Sequence, residues 1–326
     1  MKALIVSRHT YVLFLVLLVS LSGCGAPVAP TLSPTNTLTS LTFIPVPTIV
    51  PSPMPTPELP TDTPTPSPIP AARTPSPTPV PTMTADEEYA FVSEMLRSNG
   101  GCRLPCWWGF TPGETPWQTT KTFFASLGKK IEAWRDHDTQ QHYAVYFDIP
   151  DHHHFHYQGY HEKDGTLDRI GIHALPPEDE NWRYIYGDPH FAEDWRAYML
   201  PQILEVYGPP SQVFLGTGGA PWRPFDLLVF YPEQGFLVEY HGLAEQREGE
   251  TWRVCPHKVE ITLHLWSPER RMNLEDVPGV VDAHKDDETW GPYPLEEATG
   301  MSIEQFYQTF SQPDNQLCLD VPADLW

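Results

Sequence analysis

Basic residues are scarce in this chain. Its 326 residues carry 20 Lys and Arg against 42 Asp and Glu, a formal net charge of −22. Such a surface repels phosphate backbones, which excludes nucleic acid as a partner and disfavours lying down on an anionic bilayer. Long apolar runs are missing as well. The strongest, residues 11–21, falls short of the roughly 20 residues that a membrane-spanning helix needs. Catalytic signatures are also lacking. There is no Gly-x-Ser-x-Gly elbow, no His-Glu-x-x-His and no glycine loop ending in Gly-Lys-Ser/Thr. Gly216-Thr217-Gly218-Gly219 has no basic residue or helix signal after it and reads as a hairpin-like loop. These absences favour a non-enzymatic protein. Cysteine is limited to five residues.

What is present begins with an address. Lys2 and Arg8 precede the apolar run, and Leu21-Ser22-Gly23-Cys24 closes it. A charged start, a short apolar stretch and small residues before a cysteine read as a secretory signal over residues 1–23. The final four residues resemble a bacterial lipobox. That resemblance implies cleavage before Cys24 and its lipidation, hence a membrane-anchored chain facing outside the cytoplasm. Two or three acyl chains would hold it firmly.

Residues 24–84 form a lipidated start and a linker dominated by Pro, Thr and Ser. Proline on this scale removes backbone donors and favours polyproline II, so the expectation is a disordered stalk. About 240 residues follow, enough for one large or two small domains. Four cysteines remain there: Cys102, Cys106, Cys255 and Cys318. An even count in an exported chain suggests two disulfides, with three pairings open. Cys102 and Cys106 flank a Leu104-Pro105 bend, which favours Cys102–Cys106 with Cys255–Cys318. A Cys-x3-Cys zinc site is the alternative, without a matching second pair.

Periodicity supplies the fold class. Thr84 and Glu87 form a capping box ahead of Tyr89, Val92 and Leu96, and Asn99-Gly100-Gly101 ends that helix. Three further short helices are expected. One runs from Thr115-Pro116 to Gly128, one carries Leu200, Ile203, Leu204 and Tyr207 before Gly208, and one opens at Ser302. Alternating strands are expected over residues 142–149, 154–161, 167–173, 226–231, 236–240 and 258–266, with Asp164-Gly165 as a hairpin turn. A helix followed by an antiparallel meander thus occurs twice, over units at residues 85–180 and 181–326. The reading is α+β, with short helices packed on one face of a meander sheet. Gly109-Phe110-Thr111, the helix end at Leu127-Gly128 and the segment Leu204-Glu205-Val206-Tyr207-Gly208 resemble the small outer-membrane-assembly lipoproteins and the β-lactamase-inhibitor-protein family. The resemblance implies a protein-binding fold without catalytic machinery. As a whole the chain looks like a bacterial surface lipoprotein.

Two features carry candidate chemistry. His152, His154 and His156 follow Asp151, and His161 and Glu162 lie further on. On a strand, His154 and His156 face one side and could share a divalent metal such as zinc, with Asp151 as an oxygen ligand and Glu162 as a base. The competing reading is a solvent-facing polar strand. Eleven tryptophans are many for this length. Trp107, Trp108, Trp182, Trp222 and Trp290 lie in loop-like segments, where most are expected to seal the core. Trp222 and Trp290 are the candidates for stacking on a glycan. The expected function is a non-enzymatic module that binds protein or cell-envelope polymer. The alternatives are a metal-binding protein or metal-dependent hydrolase using residues 152–161, and a glycan-binding module.

Overall fold

A computed structural model describes residues 83–135, 141–217, 224–246, 251–277, 280 and 292–323. Cys24, the linker, Trp222 and Trp290 lie outside the described residues. Among the described residues no helix is long and apolar enough to cross a membrane.

The fold is α+β, built on one nine-stranded antiparallel sheet. Its strands are β1 (Glu132–Arg135), β2 (Gln141–Ile149), β3 (His154–Lys163), β4 (Thr166–Leu175), β5 (Gln212–Thr217), β6 (Pro224–Tyr231), β7 (Phe236–Leu243), β10 (Val259–Trp266) and β11 (Tyr293–Pro294). The spatial order is β1-β2-β3-β4-β10-β7-β6-β5-β11. Two meanders therefore meet at the β4–β10 pair, where Leu263 lies opposite Ile172. Gly216 and Thr217, expected in a loop, instead end β5 opposite Asp226 and Phe225.

Six helices accompany it: α1 (Ala85–Ser98), α2 (Trp117–Ser126), α3 (Pro189–Asp194), α4 (Leu200–Tyr207), α5 (Leu295–Thr299) and α6 (Ile303–Phe310). The Thr84 capping box forms as expected, and Asn99 ends α1 in the left-handed conformation. At α2, Pro116 is the N-cap rather than the first helical residue. Val92, Phe124, Ile203 and Phe306 join Val145, Ile172, Val238 and Leu263 in one core, so the helices cover a single face of the sheet.

The two halves repeat one plan. Gly128 after α2 and Gly208 after α4 both take positive φ (70° and 79°), a conformation that glycine adopts without a Cβ penalty. Each is followed four residues later by the first strand of its meander. The β2–β3 turn, Pro150-Asp151-His152-His153, matches the β6–β7 turn, Pro232-Glu233-Gln234-Gly235. Both begin with proline, form a 3-10 turn and close on a left-handed residue. Registers agree too: Ile149 opposes His154 as Tyr231 opposes Phe236. This fixes residue-by-residue equivalence between the halves.

A second, three-stranded sheet pairs β8 (Glu245–Gln246), β9 (Thr251–Val254) and β12 (Leu319–Pro322) in the order β12-β9-β8. Val254 lies opposite Leu319, and the Cys255–Cys318 disulfide sits immediately beyond that pair. The Cys102–Cys106 disulfide closes the turn after α1.

Candidate functional site: a buried polar ladder beside an open cleft

Period-2 geometry places His154, His156, Gln158 and Tyr160 on the same face of β3. That face is the helix-covered one, and all four are buried. The expectation of a solvent-facing strand is therefore corrected. The side chains bond in series. His154 Nδ1 lies 3.0 Å from Asp194 Oδ2, and His154 Nε2 lies 2.9 Å from His156 Nδ1. His156 Nε2 is 3.0 Å from Gln158 Nε2, and the Tyr160 hydroxyl donates to Gln158 Oε1 at 2.5 Å. Tyr89 of α1 donates to the other oxygen of Asp194 at 2.8 Å.

The donor inventory gives this series one direction. A carboxylate only accepts, so His154 donates from Nδ1 and accepts at Nε2; His156 then donates from Nδ1 and accepts at Nε2 from the Gln158 amide. The tautomers follow from the network rather than from observed hydrogens. Every bond has one donor, and all of them point toward Asp194. Burial, followed by the nearby His154 and Lys129, lowers the His156 pKa well below the usual imidazole range. The network therefore holds His156 neutral at physiological pH.

The second half shows that the fold does not need this ladder. The positions equivalent to His154, His156, Gln158 and Tyr160 are Phe236, Val238, Tyr240 and Gly242. An apolar run thus serves the same place in the same core.

His152 does not join the ladder. It stacks on Tyr89 with ring centroids 4.0 Å apart and bonds Asp86 at 2.9 Å. Asp151 is exposed. His161 sits on the opposite face of the sheet, 3.2 Å from Arg169, and Glu162 accepts from Gly165 N at the β3–β4 turn. The structure thus keeps His154 and His156 together and sets His152, Asp151, His161 and Glu162 apart from them. Among the described residues, no group of three His, Cys, Asp or Glu could hold a metal ion.

The outer face carries a cavity of about 620 Å³. Its floor is the row Asp148, Phe155 and Leu175, which lie side by side on β2, β3 and β4. Pro176, Pro177, Glu178, Trp182 and Tyr184 form its far wall, and His153 and His154 its end. His154 edges the cleft, but its imidazole lies on the helix-covered face, 2% exposed, within the ladder.

Trp182 is 84% exposed and holds a left-handed φ of 60°, a backbone state uncommon for a bulky residue. It sits at the tip of a hairpin closed by the Glu178–Tyr184 bridge. Asp179 braces the tip, accepting from Asn181 N at 2.7 Å, Arg183 N at 3.1 Å and the Arg183 guanidinium at 2.8 Å. The brace fixes the backbone that carries a large, unpacked aromatic ring. Asp148 and Glu178 flank the cleft, both exposed and without a cationic partner among the described residues.

The hairpin continues over the outer face through Tyr184 and Tyr186. Burial and then the charge of Glu260 raise the pKa of both, Tyr186 beyond the ordinary phenol range. Beneath them, Asp226, His241 and Glu260 form one cross-strand row. Burial lowers His241, but the hydrogen bond and charge of Asp226 outweigh it and bring its pKa to about 9. Burial lifts Glu260 to about 7.

Trp107 and Trp108 lie in the core as expected, whereas Trp182, expected to seal the core with them, is exposed because it sits at the tip of the Asp179-braced hairpin. The signal available was the Asp179 to Arg183 spacing around it. Comparison with protein-family models, with curated proteins and with solved structures gives no match to this chain.

Proposed function

We propose that the chain is a lipid-anchored, extracytoplasmic binding module whose ligand docks in the Trp182 cleft. The observation that supports this most is the braced hairpin. It holds an 84%-exposed tryptophan in a left-handed backbone beside an apolar cavity of about 620 Å³. Backbone strain of this kind costs on the order of 1 to 3 kcal/mol and persists where the surrounding structure over-determines it. Exposed tryptophans in pockets are the side chains that carry binding energy at interfaces. The lipobox at Cys24 supports the anchor, and the Pro/Thr-rich linker supports display of the domain away from the membrane.

The test uses the full chain. Labelling with an acyl-chain analogue is expected to modify wild type and not Cys24→Ser. Isolated cell envelopes are expected to bind wild type saturably and Trp182→Ala at least about tenfold more weakly, a loss of about 1.4 kcal/mol. Equal binding by both proteins would overturn the assignment of the site. Turnover of a substrate, abolished by one point change in the described domain, would overturn the non-enzymatic reading.

A further inference from the structure

The two halves of the sheet finish their outer faces differently. In the second half, Phe230 and Leu237 form a cross-strand pair next to the β6–β7 turn. The chain leaving β10 folds over them. Together with Leu228 and Trp266, they are buried with Met272, Val277 and Val280. In the first half the equivalent pair is Asp148 and Phe155, next to the matching β2–β3 turn. The chain leaving β4 also folds over its pair, but as the upright Trp182 hairpin. A cleft of about 620 Å³ remains where the second half supplies its own aliphatic segment.

We infer that this cleft takes a short peptide segment from a partner protein, presenting aliphatic side chains beside a lysine or arginine. The inference rests on the reading of the cleft as the binding site and names its ligand class. Shape comes from the second half, where Met272 and Val277, on either side of a 3-10 turn at Leu274–Asp276, cover the equivalent floor. The apolar part of the ligand meets Phe155, Leu175, Pro177 and Trp182.

Charge comes from the substitutions that distinguish the halves. Asp148 stands where the second half has Phe230, so a purely apolar occupant would strand a carboxylate. Glu178 adds a second on the opposite wall. A cation between them gains both, and the chain's net charge of −22 steers a basic partner toward it. A glycan fits less well. Its many hydroxyls need several polar partners, and the cleft offers two carboxylates and the His153 imidazole among walls of proline, leucine and aromatic rings.

The experiment uses the full chain in detergent and capped hexapeptides of alternating valine with one central lysine, one central glutamate, or serine in place of every valine. Binding is read by calorimetry and by the fluorescence of Trp182, isolated by subtraction of Trp182→Phe. The lysine peptide is expected to saturate below about 1 mM, and the glutamate and serine peptides to bind at least about fivefold more weakly. Asp148→Asn/Glu178→Gln is expected to weaken the lysine peptide about two- to thirtyfold, the span for two exposed ion pairs together. It should also remove the salt dependence seen in wild type. Both positions are exposed, so this variant keeps the fold.

Equal binding of the lysine and glutamate peptides, or no saturation by either, overturns the ligand class. If oligosaccharides but not peptides displace the Trp182-dependent binding to envelopes, the class is wrong and the site stands. If Trp182→Ala leaves envelope binding unchanged, the site itself fails.

Discussion

Removing the Tyr160 hydroxyl is expected to change sign in its effect when Gln158 is also removed. In wild type, that hydroxyl satisfies Gln158 Oε1, a fully buried acceptor. Tyr160→Phe orphans the acceptor, and an unmet buried polar group costs about 1 to 3 kcal/mol. Gln158→Leu is worse, because it strands two groups at once, the Tyr160 hydroxyl and His156 Nε2. The cost is then about 2 to 6 kcal/mol. In the Gln158→Leu background, Tyr160→Phe removes an orphan instead of creating one. It should therefore restore about 1 to 3 kcal/mol. The cycle coupling is the difference between these effects, about 2 to 6 kcal/mol, from the upper part of the range usual for contacting residues to beyond it. Urea unfolding of the four proteins at pH 7, followed by circular dichroism, measures it. Additive effects within about 0.5 kcal/mol would refute the directed ladder.

Three further outcomes follow from other parts of the molecule. Burial, and then the charge of His264, lowers the His173 pKa to about 3. Between that value and the unfolded 6.5 the unfolded chain binds the extra proton, so stability falls as pH drops below 6.5. At pH 5 this group costs about 2 kcal/mol, and His173→Gln should reduce the acid loss between pH 7 and 5 by that amount in urea titrations. The Cys255–Cys318 crosslink spans 63 residues and the Cys102–Cys106 crosslink four. Loop entropy then predicts that Cys255→Ala/Cys318→Ala loses about 4 kcal/mol and the other pair about 2, read as unfolding midpoints of the two variants. Asp179→Ala removes the brace of an exposed hairpin, so limited proteolysis should speed up at residues 178–184 while the global unfolding transition stays in place.

Elements with strong periodicity were legible in the sequence. Six expected strands form within a few residues of their expected limits, because alternation along β10 or a meander turn at Asp164-Gly165 is local information. The two disulfides follow the pairing that the local Leu104-Pro105 bend favoured. The meeting of β4 with β10 was not legible, since that register depends on the packing of both halves rather than on either segment.

The ladder shows a different limit. Period 2 told that His154 and His156 share a face, but not which face. Polarity argued for solvent, and only the partners Asp194 and Gln158, from elsewhere in the chain and the strand, make burial tolerable. The cleft was less legible still. Trp182 differs from the buried Trp107 and Trp108 only in what packs against it. The short strands β9 and β12 carry too few residues for a pattern and are held by their crosslink.

The central claim is that contact with a partner runs through the Trp182 cleft, and site-specific photocrosslinking tests it most directly. A benzophenone amino acid replaces Trp182 in one full-length protein and Val206, an exposed position on α4, in another, and both are irradiated in the cell envelope. The account predicts one discrete protein adduct from position 182, suppressed by the lysine peptide and missing from position 206. The same adducts from both positions, or none from 182, would contradict it.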